Sequence, residues 1–240
     1  MSWATKVIKV LNEYETRRRA RRPVDVAWKS ALTGEVRFWE KNLRTYKQLR
    51  GRLDPTMPLQ PEIAELLPTG PGPALRVLDV GAGLVTWLGK TIPERELTVE
   101  AVDALGDEYA GIFERVGLTP PVPTLQCDTE RLSDRFGENE FDLAYARNTL
   151  DHSYDPITAI REMIRVVKPG APVLLEHAEN EAEEERYLGL HQWNFLVEND
   201  NFFVWRPGTR HDMRALLADI ADLEVARKGE PLDRVVLRKR

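Results

Sequence analysis

The chain has little of what would tie it to a secreted, membrane-spanning or thiol-based function. Its 240 residues include one cysteine, Cys127, which excludes an intramolecular disulfide and a thiolate zinc site. Cys127 ends a strand-like run, where a buried and inert thiol is expected. No apolar run approaches the ~20 residues needed to span a bilayer. The first residues, Met1-Ser2-Trp3-Ala4-Thr5-Lys6, reach a charge before any secretory apolar core forms, so a cytoplasmic location is expected. An excess of positive charge is also missing: 34 Lys and Arg stand against 39 Asp and Glu, a net charge of −5. No general nucleic-acid footprint follows from that balance, and no membrane partner is expected. Histidine is scarce, with four in all.

What is present begins with Arg76-Val77-Leu78-Asp79-Val80-Gly81-Ala82-Gly83. A continuous apolar run is how a buried parallel strand reads. Glycines directly after such a strand allow a tight turn and a close approach to a ligand. The next strand-like run, 97–102, ends at Asp103, where a nucleotide-binding half-sheet places a carboxylate on ribose hydroxyls. The third glycine of a dinucleotide fingerprint is replaced by Thr86, which argues against a nicotinamide-dependent oxidoreductase.

Further strand-like runs fall near 123–127, 141–146 and 172–177, and helical runs near 84–92, 107–116 and 155–167. Their alternation implies a parallel sheet with helices on both faces. The runs 223–227 and 234–237 flank Gly229-Glu230-Pro231, so the last two strands must be antiparallel. Between the fifth strand and a helix expected over 209–220, aromatic and β-branched runs flank Glu198-Asn199-Asp200-Asn201 and read as a β-hairpin. The N-terminal part differs. Trp3, Val7, Val10, Leu11 and Tyr14 share one helical stripe, and Trp28, Leu32, Trp39 and Leu43 share another within a helical region from Val24 to Tyr46. Gly34 costs that region about 1 kcal/mol against alanine and can divide it in two. Prolines stiffen 55–73 around a short helix, 61–67. The expected organisation is a helical cap and connector over 1–73, then an α/β domain over 74–240 carrying the hairpin insertion at 188–206.

Asp79-x-Gly81-x-Gly83 after a strand resembles motif I of the class I S-adenosylmethionine-dependent methyltransferases. Glu140 to Ala146, then Asp155-Pro156 opening a helix that stops at Lys168-Pro169-Gly170, then the strand 172–177, resembles the same superfamily. From Glu176 to Trp205 the chain is similar to a bacterial small-molecule subset. The resemblance implies a Rossmann-like, doubly wound, seven-stranded sheet with an antiparallel last strand. It also implies methyl transfer from S-adenosylmethionine, leaving S-adenosylhomocysteine, to a small molecule, most plausibly at oxygen. A non-catalytic protein that binds the same cofactor shares all of these features.

The resemblance assigns Asp79, Gly81, Ala82 and Gly83 to the methionine side of the cofactor and Asp103 with Ala104 to the ribose. Asp128 and the Thr129 amide go to the adenine, and Arg147 and Asn148 to the amino-acid group. Asp103 and Asp128 can alternatively cap the helices that follow them. His152, with Asp151 and His177, is the candidate catalytic group, because histidine takes a proton near neutral pH; bracing of its loop is the competing role. His191, Trp193, Tyr187 and Trp39 are candidate substrate contacts, although an aromatic insertion also packs as a satellite core between hairpin and N-terminal helices. Three histidines near acidic Asp151, Glu176, Glu181 and Glu184 would permit a divalent metal, but no His-x-x-x-His spacing occurs and no metal is expected. The basic run Arg17 to Arg22 can pair with the acidic run Glu179 to Glu185, within one chain or across a homodimer.

Overall fold

The computed structural model describes residues 3–43, 47–229 and 232–240. The C-terminal end of the second expected helix at Tyr46 and the Glu230-Pro231 turn lie outside them. Four helices come first: α1 (Trp3–Ala20), α2 (Val24–Asn42), α3 (Lys47–Arg52) and α4 (Pro61–Ala64). Then β1 (Leu75–Val80), β2 (Leu97–Asp103), α5 (Gly106–Val116), β3 (Thr124–Gln126), β4 (Leu143–Arg147), α6 (Pro156–Val166) and β5 (Pro172–His177) alternate. The chain continues through α7 (Glu181–Glu184), β6 (Asn194–Glu198), β7 (Asn201–Arg206), β8 (Thr209–Asp212) and α8 (Met213–Leu216) to β9 (Ala221–Arg227) and β10 (Asp233–Lys239). No helix of the described residues is long and apolar enough to cross a membrane.

The main sheet has seven strands in the order β3-β2-β1-β4-β5-β10-β9. Strands β1 to β5 pair in parallel, while β10 runs antiparallel to both β5 and β9. The order reverses at β1 and β4, so their carboxyl ends open a crevice where such sheets bind ligands. The runs read from hydrophobic pattern thus appear as strands, and the final antiparallel pair is present.

Local chemistry explains the helices that frame this crevice. Asp155 caps α6 by accepting from the amides of Ile157 and Thr158 at 3.1 Å, and Pro156 occupies the first turn, where its missing N–H costs nothing. Helix α6 buries Ile160, Met163 and Ile164 against one sheet face together with Phe141, Phe195 and Phe202. On the other face Leu59, Ile63 and Leu67 from the connector cover Val77, Tyr145 and Leu174.

One expected helix is absent and another is cut short. Residues 84–92 form no helix. The Thr86 hydroxyl donates to Asp79 Oδ2 at 2.5 Å and accepts from the Leu88 amide at 3.0 Å, so a side chain competes with helical pairing. The segment instead pairs with the connector: the Lys90 amide donates to the Met57 carbonyl at 2.7 Å and the Leu59 amide to the Thr91 carbonyl at 2.8 Å. Over 209–220 the first four residues are strand β8, paired with β7, and only Met213–Leu216 is helical. An available strand partner outweighs a helical pattern there. The hairpin insertion is therefore a three-stranded antiparallel sheet. Its turn has φ of 52° at Asn199 and 55° at Asp200, the positive values of a tight hairpin turn.

Helix α2 runs unbroken through Gly34. Of the α1 stripe, Val10, Leu11 and Tyr14 are exposed; the side chains of Trp3 and Val7 lie outside the description. Among the described residues no ion pair joins the basic and acidic runs: Arg19 Nε donates to the carbonyl of Arg186, just past the acidic run, at 2.9 Å, Ala20 packs with Ala182, and Arg18 pairs with Glu15 on its own helix.

Two glycines give opposite expectations. A Cβ on Gly89 would stand 2.0 Å from the Pro58 carbonyl oxygen, whereas one on Gly34 meets nothing within 4 Å. Gly89→Ala is expected to lower stability by about 1–3 kcal/mol, and Gly34→Ala to raise it by up to about 1 kcal/mol. Urea unfolding midpoints check both, and equal midpoints would contradict the packing described.

Candidate functional site

The crevice at the carboxyl ends of β1, β2 and β4 is a cleft of about 240 Å³. Its floor is the turn after β1, where Gly81 and Gly83 have φ of +69° and +63°. A side chain is strained at such φ, and a Cβ on Gly81 would stand 2.0 Å from Thr149 Oγ1. The turn is anchored by the Gly81 and Ala82 amides, which donate to the Val102 carbonyl at 2.8 and 3.0 Å. Asp79 lies buried behind it. Burial pushes its carboxyl up to about 6, against the Thr86 hydroxyl and the Trp87 amide that favour the ionised form. Asp79 holds the turn and Thr86 takes the place of the missing glycine.

Asp103, at the end of β2, accepts from the Gly83 amide at 3.0 Å and the Leu105 amide at 2.9 Å, one on each oxygen. Each oxygen keeps a lone pair free. Ala104 lies beside it in the cleft. A half-buried carboxylate with two free acceptor positions suits a diol, so this end of the cleft fits the ribose of a nucleoside cofactor. Burial raises the Asp103 carboxyl to about 6, opposed by the Leu105 and Gly83 amides.

At the next strand end Asp128 is not among the cleft residues; Thr129 and Glu130 are. Asp128 makes no cap to the turn that follows it, and the Tyr154 hydroxyl stands 3.5 Å from its Oδ2. Of the two acids that follow β3, it is therefore Glu130, and not Asp128, whose side chain borders the cleft. Its buried carboxylate accepts from the Asp155 amide at 2.9 Å and the Thr129 hydroxyl at 2.8 Å. Burial is the largest influence on Glu130 and raises its pKa.

Arg147 ends β4 and lines the cleft. Its Nη1 donates to Glu176 Oε2 at 2.7 Å, and the Tyr145 hydroxyl donates to the same oxygen at 2.6 Å. Arg234 Nε donates to the other oxygen at 2.9 Å. Glu176 is thus consumed by this network and is no metal ligand. Burial alone would raise its carboxyl, but the Tyr145 and Arg234 hydrogen bonds outweigh it and the pKa is lowered. The guanidinium of Arg147 stacks on one side of Trp87, 4.4 Å from the ring centre, and that of Arg52 stacks at 4.5 Å. Asn148 has φ of +48° and accepts from the Ala178 amide at 2.8 Å, tying the β4 and β5 ends together.

The opposite wall comes from α2: Trp28, Leu32, Glu35 and Trp39 line the cleft. The Trp39 indole N–H donates to Glu35 Oε1 at 2.9 Å, and its ring lies 3.3 Å from where a Gly83 Cβ would be. A second cavity, of about 350 Å³, is bounded by Ser30, Ala31 and Gly34 of α2 and by Leu188, Leu190 and His191. His152 borders both cavities.

Asp151, His152 and His191 converge at that border. His191 Nδ1 is 2.7 Å from Asp151 Oδ2, His152 Nε2 is 3.5 Å from the same oxygen, and the two ring nitrogens are 3.1 Å apart. Burial would raise the Asp151 carboxyl, but His152 and His191 outweigh it and hold it below the ordinary carboxylate range. Burial would lower His191, yet its hydrogen bond to Asp151 raises it. His191 lies 39 positions from His152 and 40 from Asp151, which is why linear spacing does not group it with them.

The other candidates lie elsewhere. His177 is buried, stacks on Phe195 with ring centres 4.2 Å apart, and borders neither cavity. Burial lowers its pKa to about 4, so it is a neutral core residue. Tyr187 is buried with Ala20 and Ala182, its hydroxyl accepting from Asn194 Nδ2 at 3.0 Å. Trp193 is buried in the core that includes the hairpin. Both belong to the packing of the insertion; of the four expected substrate contacts, only Trp39 and His191 reach a cavity.

A family model described as a methyltransferase domain matches residues 18–226. No curated protein matches the sequence. Among solved structures the chain is similar to a SAM-dependent methyltransferase from Aquifex aeolicus, at 18% identity over 84% of this chain and 97% of that one, with a TM-score of 0.50. It is similar to the CurJ carbon methyltransferase at 14% identity over 100% of this chain and 71% of that one, with a TM-score of 0.53. To the CMeT domain of citrinin polyketide synthase it is 18% identical over 74% of this chain, with a TM-score of 0.51, and spans only 49% of that chain. At these identities the likeness is one of fold.

The carboxyl of Asp103 sets a pH dependence. Only an ionised carboxylate can accept from both hydroxyls of a diol, and burial raises Asp103 to about 6. Affinity for S-adenosylhomocysteine is therefore expected to be constant above pH 7 and to fall by up to about tenfold per pH unit below 6. Asp103→Asn is expected to bind roughly 10–100-fold more weakly at pH 7.5 and to lose that slope. Calorimetric titration between pH 5 and 8 measures it, and an unchanged slope in the variant would assign the titration to another group.

Proposed function

The chain belongs to the methyltransferase-domain family and is an S-adenosylmethionine-dependent enzyme, and from that premise we propose that it methylates a small molecule at a hydroxyl oxygen. The observation that carries this reading is His152, which borders both the cofactor cleft and the second cavity. Bound at the cleft, the cofactor supplies a methyl group made electrophilic by a sulfonium. The chain's own residues do the rest. The Gly81-Ala82-Gly83 backbone, Asp103, Glu130 and Arg147 hold and orient the cofactor. Trp28 and Trp39 close the opposite wall and limit water at the transfer path.

The second cavity is lined by the apolar Ala31, Gly34, Leu188 and Leu190, with a few polar groups, Ser30 and Glu35 of α2 and the two histidines. Those features suit a compact organic acceptor. Gly34, unexplained by helix propensity, leaves room in that cavity. A hydroxyl there would meet the Asp151–His152–His191 cluster, which takes its proton and makes the oxygen a nucleophile. Positioning donor and acceptor in line supplies much of the remaining rate enhancement.

His152→Gln is expected to lower turnover roughly 10²–10⁴-fold while leaving the affinity for S-adenosylhomocysteine unchanged. The assay is transfer of labelled methyl from S-adenosylmethionine to a panel of phenols, sugars and hydroxy acids, with amines and activated methylenes as comparators. Transfer to nitrogen or carbon alone, or full turnover in the variant, would overturn the oxygen assignment.

A further inference from the structure

The contacts within the Asp151–His152–His191 cluster cannot all be hydrogen bonds. Three atoms, two ring nitrogens and one carboxylate oxygen, form a triangle with sides of 2.7, 3.1 and 3.5 Å. If His191 Nδ1 carries a proton and gives it to Asp151, a bare His152 Nε2 faces the carboxylate with its lone pair. If both nitrogens carry protons, both can point at Asp151 Oδ2, at 2.7 and 3.5 Å, but the two N–H groups then crowd each other at 3.1 Å. If neither does, three lone pairs converge. No assignment of one proton per ring makes every side of the triangle favourable.

A cation at the centre does. Ligand atoms about 2.1 Å from one ion, and at right or tetrahedral angles to each other, stand roughly 3.0–3.4 Å apart. The observed triangle brackets that range. A second observation points the same way: Asp151 is 1% exposed, and its other oxygen, Oδ1, has no hydrogen-bond partner among the described residues. A fully buried carboxylate with one oxygen unmatched is costly unless a charge neutralises it. The fold also fixes the ligands from separate elements. Asp151 and His152 lie on the short turn after β4, and the Gln192 amide donates to the Asp151 carbonyl at 3.0 Å, which locks the His191 segment against that turn.

We propose that Asp151 Oδ2, His152 Nε2 and His191 Nδ1 bind one divalent first-row transition cation, such as zinc, manganese or cobalt. Two imidazoles and one carboxylate favour these ions over magnesium and calcium, which take oxygen ligands. The absence of metal expected from linear spacing is revised accordingly. The inference rests on the reading of this cluster as the group that activates the acceptor, and it changes how that happens. His152 is then a ligand and not itself the base. The acceptor hydroxyl binds the cation at a position left open toward the second cavity, and the bound hydroxyl loses its proton to solvent water. The oxygen attacks the sulfonium methyl: the new C–O bond forms from an oxygen lone pair, the C–S bond breaks, and its electron pair stays on sulfur. The products are the methyl ether and S-adenosylhomocysteine, and no redox partner is needed.

The test is made on the full chain. Protein stripped with a chelator is titrated with zinc, manganese and cobalt, with stoichiometry from elemental analysis after gel filtration and coordination from the visible spectrum of the cobalt form. The expected result is one ion per chain at micromolar affinity or better, with a cobalt spectrum of nitrogen and oxygen ligation. His191→Gln and Asp151→Asn are each expected to weaken binding by about 100-fold or more while S-adenosylhomocysteine still binds. No binding by the stripped wild-type protein, or equal binding by both variants, would overturn the site. Full methyl transfer by stripped protein would overturn the role of the cation while leaving methylation at oxygen and a basic His152 standing. Absence of transfer from any metal form to any acceptor, with ion binding intact, would overturn the underlying reading and not the site.

Discussion

Burying a carboxylate is costly unless charged or polar donors surround it, and Glu176 is buried at the end of β5 with Tyr145, Arg147 and Arg234 all donating to it. Those three residues come from β4 and β10, so one anion joins three neighbouring strands at the edge where the cleft opens. Arg147 is immobilised by that contact and stacks on Trp87. Trp87 then stacks on Arg52, which reaches the Val85 carbonyl at 3.4 Å. The backbone of Asn148 donates to the Glu176 carbonyl at 2.8 Å, which sets the start of the turn carrying Asp151 and His152. The cleft wall and the Asp151–His152–His191 cluster are thus both referenced to a single buried charge. Removing one partner would leave the others desolvated and unmatched, so these groups act as a unit.

The cleft has one rigid wall and one added wall. The sheet edge is held by strand pairing and by Glu176. The other wall, α2, is held by its apolar stripe, with Leu32, Val36 and Trp39 packed against a cluster that includes Leu43, Tyr109 and Phe113. Both histidines of the cluster also line the second cavity, together with Ser30, Ala31, Gly34 and Glu35 of α2 and with the 188–190 segment. The cleft and the second cavity share His152 as a common boundary. This division lets the second cavity vary in shape through α2 and the 188–191 segment without altering the glycine turn.

Much of the fold was legible because it depends on local patterns. Continuous apolar runs located all five parallel strands, Asp155-Pro156 located the start of α6, and a short turn forced the last two strands antiparallel. The failures were tertiary. Residues 84–92 carry a helical pattern, but Thr86 is drawn to Asp79 and the backbone is drawn to Pro58, neither of which a local window can see. Strand β8 was concealed by the same effect, since its partner β7 decides its state. In the site, the glycine turn and Asp103 could be read because strand, turn and acid occur in order. His191 joined His152 only through a loop 39 residues away. Asp128 and Glu130 are both acids at a strand end, and only the fold tells that Glu130 is the one bordering the cleft. Gly34 carried a usable signal, a helical glycine without a packing reason, which marks a place kept open.

Three of the six tryptophans, Trp28, Trp39 and Trp87, line the cleft, and Trp87 lies between two guanidinium groups. Indole emission responds to nearby charge and to exclusion of water. The molecule therefore carries its own optical gauge, concentrated where ligands enter: arrival of an anionic group beside Arg52 or Arg147, or displacement of α2 from the glycine turn, changes the colour and yield of light from the native chain with no label attached.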